Sequence, residues 1–263
     1  MSTHTFQLPS GPECEVKPLL AKHQRIITEQ SKEGVTSNLD KVLVDTIVRI
    51  GSETNITEDF IQSLLAVDRK MILIELRQFS LGFPKMFEFN FEYKDQDGAK
   101  IVHPFDVDIS EGFNVQPLRI PDGQGGVLER PYKEYSELVK TVDLILPDSK
   151  KKVQFTMLDG KGEQIGANTK RKDRSSHTPI QMRRPKYEGE TKSGNPIMIN
   201  LDLDNLTLND IEYLRKSIKE VEGTVDTEFM FEHPEAEYKG PNEKDVVVDL
   251  ITQVAFFFPS QAI

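Results

Sequence analysis

The sequence predicts an α+β protein built as two similar lobes, each a helix packed on antiparallel strands, with extra helices in the first lobe. Three observations point there. Apolar residues recur at helical spacing over much of 19–82, then switch to strict alternation at 87–93. A second switch of the same kind runs from 211–221 into 225–231. Landmarks of the first half also recur in the second. Leu76-Arg77 returns as Leu214-Arg215 at an offset of 138, Glu88 as Glu228 at 140, Asp108 as Asp249 at 141, and Leu8-Pro9-Ser10 as Leu146-Pro147-Asp148 at 138. An offset that drifts only as small loop insertions would make it drift suggests an internal duplication. The expected organisation is a first lobe at 1–110, a Pro/Gly-rich connector at 111–140, and a second lobe at 141–263 with a basic loop at 160–195.

The elements follow in order. Leu8-Pro9-Ser10-Gly11-Pro12 is a turn, and Cys14 to Lys17 alternates as a short strand running into Pro18, a helix start. Leu19, Leu20, His23, Ile26 and Ile27 have helical spacing. A second helix is capped by Asn38, carries Leu39, Val42, Leu43, Ile47 and Ile50, and stops at Gly51. A third starts near Asn55 or Thr57, and Asp68 caps a fourth that ends near Gly82. Phe87, Phe89, Phe91 and Tyr93 then alternate with polar residues, turn at Lys94–Gly98, and return over Lys100–Ile109. The aromatic face of this hairpin is expected to pack on the preceding helix. Residues 111–140, with Pro117, Pro121, Pro131 and Asp122–Gly126, continue neither helix nor strand. Val142–Leu146 and Val153–Leu158 form another hairpin, 160–195 is polar and aperiodic, and Ile197–Leu203 alternates. Thr207 and Asp210 open a helix bearing Ile211, Leu214, Ile218 and Val221, followed by a hairpin of Val225–Phe231 and Asp245–Ile251.

Composition narrows the function classes. Over 263 residues, 37% are apolar and 29% charged, as in a soluble protein with modest cores. No apolar run approaches the roughly 18 residues that span a bilayer, and Met1–Gln7 lacks the basic and apolar regions of a secretory signal. Cys14 is the sole cysteine, so no intramolecular disulfide or cysteine-rich zinc site can form, which suits a reducing compartment. A net charge of -10 argues against nucleic acid as the partner of the whole chain.

Candidate chemistry is sparse. Lys170, Arg171, Lys172, Arg174, Arg183, Arg184 and Lys186 stand against one acid, Asp173, giving +6 there and -16 for the remainder. Such a stretch is either a solvated loop or an arm that docks on an acidic partner or nucleic acid. Phe256, Phe257 and Phe258 form either a plug in the protein's own core or an anchor for a neighbouring subunit. Asp202-Leu203-Asp204-Asn205 departs from a calcium loop, because Leu206 and Thr207 occupy the next template positions. The five histidines are scattered without metal-binding spacing, and Cys14 between Glu13 and Glu15 is electrostatically wrong for a nucleophile. No catalytic set, metal site or cofactor is expected.

Leu8-Pro9-Ser10-Gly11 followed by Lys17-Pro18-Leu19, the helix end Leu76-Arg77-Gln78-Phe79-Ser80-Leu81-Gly82, and Phe256-Phe257-Phe258-Pro259-Ser260 together resemble the baseplate proteins of T-even-like contractile-tailed phages. Within that family the chain is similar to the baseplate hub subunit and hub assembly-factor group. The resemblance implies a non-enzymatic virion protein of the tail baseplate, assembled in the host cytoplasm. Its implied partners are other baseplate, hub or tail-tube proteins, in multiple copies in a symmetric ring. An assembly chaperone absent from the mature virion is the alternative, and an enzyme or nucleic-acid binder acting through 170–186 is a third. Some relatives carry cysteine pairs in the hairpin turns, suggestive of zinc ribbons. The corresponding turns here, Tyr93–Gly98 and Glu232–Gly240, have no cysteine, so no metal is expected there.

Overall fold

The computed structural model describes residues 2–28, 35–82, 86–121, 126–169, 176–191, 193, 195–235, 237, 245–252 and 254–257. β1 (His4–Gln7) and β2 (Glu13–Val16) form an antiparallel hairpin. Its turn closes through the Leu8 N–H on the Pro12 carbonyl and the Gly11 N–H on the Leu8 carbonyl. Gly11 sits at φ 126°, where an added Cβ would lie 2.1 Å from the Tyr132 carbonyl oxygen, so the turn requires glycine. α1 (Ala21–Thr28) and α2 (Val35–Thr46) follow, and β3 (Ile47–Ile50) completes a sheet in the order β1-β2-β3. The helix expected across 38–51 is thus cut short. Ile47 and Ile50 instead pair with Val16 and Cys14, where branched side chains fill the pleat. α3 (Glu58–Ser63) starts where expected, with Thr57 Oγ1 accepting from the Phe60 N–H at 3.2 Å.

α4 (Ala66–Leu81) is the central helix. Val67, Ile72, Leu73, Ile74 and Leu76 are buried on it, and so are Asp68, Arg69 and Arg77. Its N-cap is Leu65, not Asp68, and no side chain from its own first turn caps it. Distant groups serve instead: the Leu65 N–H donates to Tyr135 Oη at 2.7 Å and the Ala66 N–H to the Leu158 carbonyl at 2.8 Å. Asp68 lies within the first turn, fully buried, and accepts from the Ser10 N–H at 3.0 Å.

The aromatic hairpin pairs β4 (Met86–Lys94) with β5 (Lys100–Asp108). A second pairs β14 (Glu228–Glu232) with β15 (Asp245–Asp249). The first hairpin's aromatic row meets the second hairpin, a contact the sequence did not suggest. Phe231 lies 5.3 Å from Phe89 and 4.6 Å from Phe105, ring centre to ring centre, and His233 lies 4.8 Å from Tyr93. Rings projecting from two narrow ribbons satisfy one another in tilted and edge-on contacts.

The stretch 111–140 holds short strands after all. β6 (Val115–Gln116) pairs with β13 (Thr224–Val225), and β7 (Arg119–Pro121) pairs with β8 (Val127–Glu129). A four-stranded antiparallel sheet then runs β12-β11-β10-β9, from β9 (Thr141–Ile145), β10 (Lys152–Thr156), β11 (Lys186–Glu190) and β12 (Pro196–Asn200). Between its strands lie α5 (Gly160–Asn168) and α6 (Thr178–Gln181), so 160–195 is not the aperiodic loop expected. Both helices are too short to display a period, and α6 is held by Ile180, buried in the second core. α7 (Leu208–Val221) follows, and α8 (Val254–Phe257) ends the described chain. α7 packs Ile211, Leu214 and Ile218 with Val153 and Phe155 of the sheet. Asp210 accepts from the Asp148 and Ser149 N–H groups at 2.8 and 3.1 Å, fixing the β9–β10 turn to the start of α7. The main core is continuous from Leu8 and Val16 through Leu43 and Ile72 to Val248, Leu250 and Phe256.

Burial pushes the Asp68 carboxyl up to about 7, while its bond from the Ser10 N–H pulls the other way. A carboxyl whose folded value exceeds its unfolded one retains its proton in the native state. Its stabilising contribution is therefore full below about pH 4 and lost as pH rises towards 7. Asp68→Asn should gain on the wild type across that window and hold a constant difference above it, measured by urea unfolding at several pH values. A difference independent of pH would contradict the assignment.

Candidate functional site

The basic pair Arg183-Arg184 leads from the end of α6 into β11 and reaches the seam between the two cores. The Arg183 carbonyl accepts from the Thr156 N–H at 2.8 Å, which locks this segment to the end of β10. Its guanidinium grips Glu222, just past α7, in a fork of 3.0 and 2.6 Å. Glu222 also accepts from the Leu158 N–H at 2.8 Å. Arg184 forks onto Asp159 at 2.8 and 2.9 Å, and Asp159 is the N-cap of α5, accepting from the Gly162 N–H. The two arginines therefore tie the ends of α5, α7 and β10 together.

α4 supplies the other side of the seam. Arg69 is buried and bonds both Asp40 of α2 and Glu163 of α5. Burial pushes both carboxyls up, with Arg69 opposing the shift. Lys70 lies 3.2 Å from Asp249 of β15 and donates to Thr227 Oγ1, which in turn donates to Asp249 at 2.6 Å. Between these groups is a cavity of about 520 Å³ with Leu65, Val67, Leu118, Met157 and Met182 among its apolar walls. That size would admit a small ligand. Its cations are each matched by an adjacent carboxylate: Arg183 by Glu222 and Lys70 by Asp249. Glu163, Asp226 and Glu228 line it as well, so carboxylates outnumber cations there and no surplus cation is left to hold an anion.

The predicted residues divide accordingly. Lys170, Arg171, Lys172, Arg174 and Phe258 lie outside the described residues. Lys186 is exposed on β11, opposite Asn200. Arg183 and Arg184 are spent on internal ion pairs. Phe256 and Phe257 are 0% and 1% exposed, so they are core and not a surface anchor. Phe256 stacks edge-on against Phe87, Phe113 and Phe257, and its carbonyl accepts from the Arg77 Nε–H at 2.6 Å. Arg77 also holds the Gly82 carbonyl.

Burial and nearby acids push the Cys14 thiol far above its ordinary range, so it is not a nucleophile. Among the described residues no cluster of three or more His, Cys, Asp or Glu is placed to hold a metal, and no helix is long and apolar enough to cross a membrane. At the hairpin tips, Asp95 caps its own turn by accepting from the Asp97 and Ala99 N–H groups. His233 accepts from the Glu235 N–H while its ring packs edge-on against Phe91 and Tyr93. Comparison with protein-family models, curated proteins and solved structures found no match.

The sequence reading missed the tethers on α4. The signal was present, since Asp68, Ile72 and Leu76 share one i, i+4 row, and Arg69, Leu73 and Arg77 another. Charges embedded in apolar rows announce buried partners. Phe256→Ala should destabilise the protein by about 3–5 kcal/mol in chemical denaturation, as for a buried aromatic truncated to alanine. A cost below about 1 kcal/mol would return Phe256 to the surface.

Proposed function

We propose that this chain is a non-enzymatic structural protein of a contractile-phage tail baseplate, hub or hub-proximal, working in the virion through protein–protein contacts. One observation carries the reading. The segments that resemble baseplate proteins are the ones tied together on α4: Ser10 to Asp68, and Phe256 and Gly82 to Arg77. The resemblance therefore falls on residues that hold the framework, not on interchangeable surface. The seam adds support, because Arg69, Arg183 and Arg184 are each committed to carboxylates of neighbouring elements, as in a rigid building block.

The finer parts of the reading are an internal duplication and assembly as a ring of several copies. The same chain order of helix then hairpin, α4 before β4–β5 and α7 before β14–β15, supports the duplication, while α7 itself packs on the four-stranded sheet. Their registers differ, since Glu88 faces Asp106 whereas Glu228 faces Asp249, a slip of two residues against the landmark Asp108. A two-residue slip preserves which side chains face inward.

Quantitative mass spectrometry of purified particles and infected-cell lysate is the test. The protein is expected in particles at a fixed ratio to other baseplate components. Abundance in lysate with absence from particles would replace the structural role with that of an assembly chaperone.

A further inference from the structure

We infer that β12 is a homodimerisation edge: it pairs antiparallel with β12 of a second copy, centred on Met198. β12 ends the sheet and is bonded on one side to β11. Two backbone bonds fix which groups face the open side. The Thr191 N–H donates to the Asn195 carbonyl at 2.8 Å, and the Leu201 N–H to the Pro185 carbonyl at 2.9 Å. Both couples belong to the register that sets Lys186 opposite Asn200 and Glu190 opposite Pro196. Hydrogen-bonded pairs alternate along an antiparallel ladder, so Ile197 and Ile199 bond to β11. Pro196, Met198 and Asn200 then point their backbone groups outward.

That outward row is self-complementary. With Met198 on the twofold axis, the Met198 residues exchange both N–H and C=O groups. Each Asn200 N–H meets a Pro196 carbonyl. Proline's missing N–H falls at an outward position, so it costs the protein's own sheet nothing. Side chains match as well, because Ile197 of each copy comes opposite Ile199 of the other. Ile197 and Met198 are 41% and 42% exposed, on opposite faces of the strand. Pairing would cover both.

Charge favours this edge over the other. β12 reads Pro-Ile-Met-Ile-Asn and has no ionisable residue, whereas β9, at the far edge, carries Asp143 at its centre. Charged edge residues discourage strand pairing and their absence permits it. Lys186, Glu188 and Glu190 on the two β11 strands would stand three strand spacings apart, roughly 14 Å. Exposed charges at that separation are largely screened at physiological salt, so a net charge of -10 per copy does not oppose the contact. The pairing does not depend on the proposed function.

Two measurements on the full chain test it. Met198→Cys would place the two cysteine Cα atoms about 5.5 Å apart, within disulfide range. Cys14 is buried and stays silent. Mild oxidation should yield a covalent dimer from Met198→Cys and none from Ile145→Cys on β9. Light scattering should show a concentration-dependent dimer for the wild type and a monomer for Met198→Pro, which removes the outward N–H alone, with unchanged circular dichroism. A monomeric wild type, or equal crosslinking of the two cysteine variants, overturns the inference. So does a dimer that survives folded Met198→Pro, and if that variant fails to fold, the crosslinking result decides.

Discussion

Burying charge on α4 is the constraint on which the rest of the structure depends. An ionised side chain taken from water into a protein interior must find a partner or lose its charge. α4 buries Asp68, Arg69 and Arg77 within sixteen residues. Segments remote in sequence supply their partners: the N-terminal turn through Ser10, α2 and α5 through Asp40 and Glu163, and the C-terminal segment through the Phe256 carbonyl. Asp68 Oδ2 and Arg69 Nε stay buried without a hydrogen bond among the described residues. Two less buried residues extend the pattern, Lys70 to Asp249 and Glu75 to His4 at 2.9 Å. A helix so placed cannot keep its position if any of these segments detaches without stranding a charge.

Packing follows from these tethers. Holding Phe256 and Lys70's partner Asp249 near α4 brings β14–β15 over the first hairpin, where the phenylalanine rings find one another. The second core, between the four-stranded sheet and α7, is joined to the first through the arginine forks at Glu222 and Asp159. Breaking one partner of such a pair costs more than the pair contributes, because the remaining charge is left uncompensated. The seam therefore joins the two cores through paired charges.

Much of the secondary structure was legible in the sequence, and the reason is local. The Thr57 and Thr207 caps, the aromatic alternation at 87–93 and the hairpins at 86–108 and 228–249 are written in neighbouring residues. What escaped was decided at long range. Tyr135 and Leu158 cap α4 from distances of 70 and 92 residues, which no pattern local to Asp68 can reveal. Ile47 and Ile50 continue a helical spacing and yet join a strand, because Val16 and Cys14 offer a ladder. Arg183 and Arg184 stand among free-looking cations, but their acids, Glu222 and Asp159, are 39 and 25 residues away. The Phe256–Phe257 pair gave two readings on composition alone, and only its contacts with Phe87 and Phe113 assign it to the core.

Native-state hydrogen exchange of the full-length protein, compared with Arg77→Met, tests the role of α4 most directly. Amides of 69–81 and of 228–232 are expected to exchange together, through one opening of the same free energy, and to lose protection together in the variant. Early exchange of 228–232 while α4 stays protected, with Arg77→Met leaving both unchanged, would show that α4 does not hold the two ends of the chain in one unit.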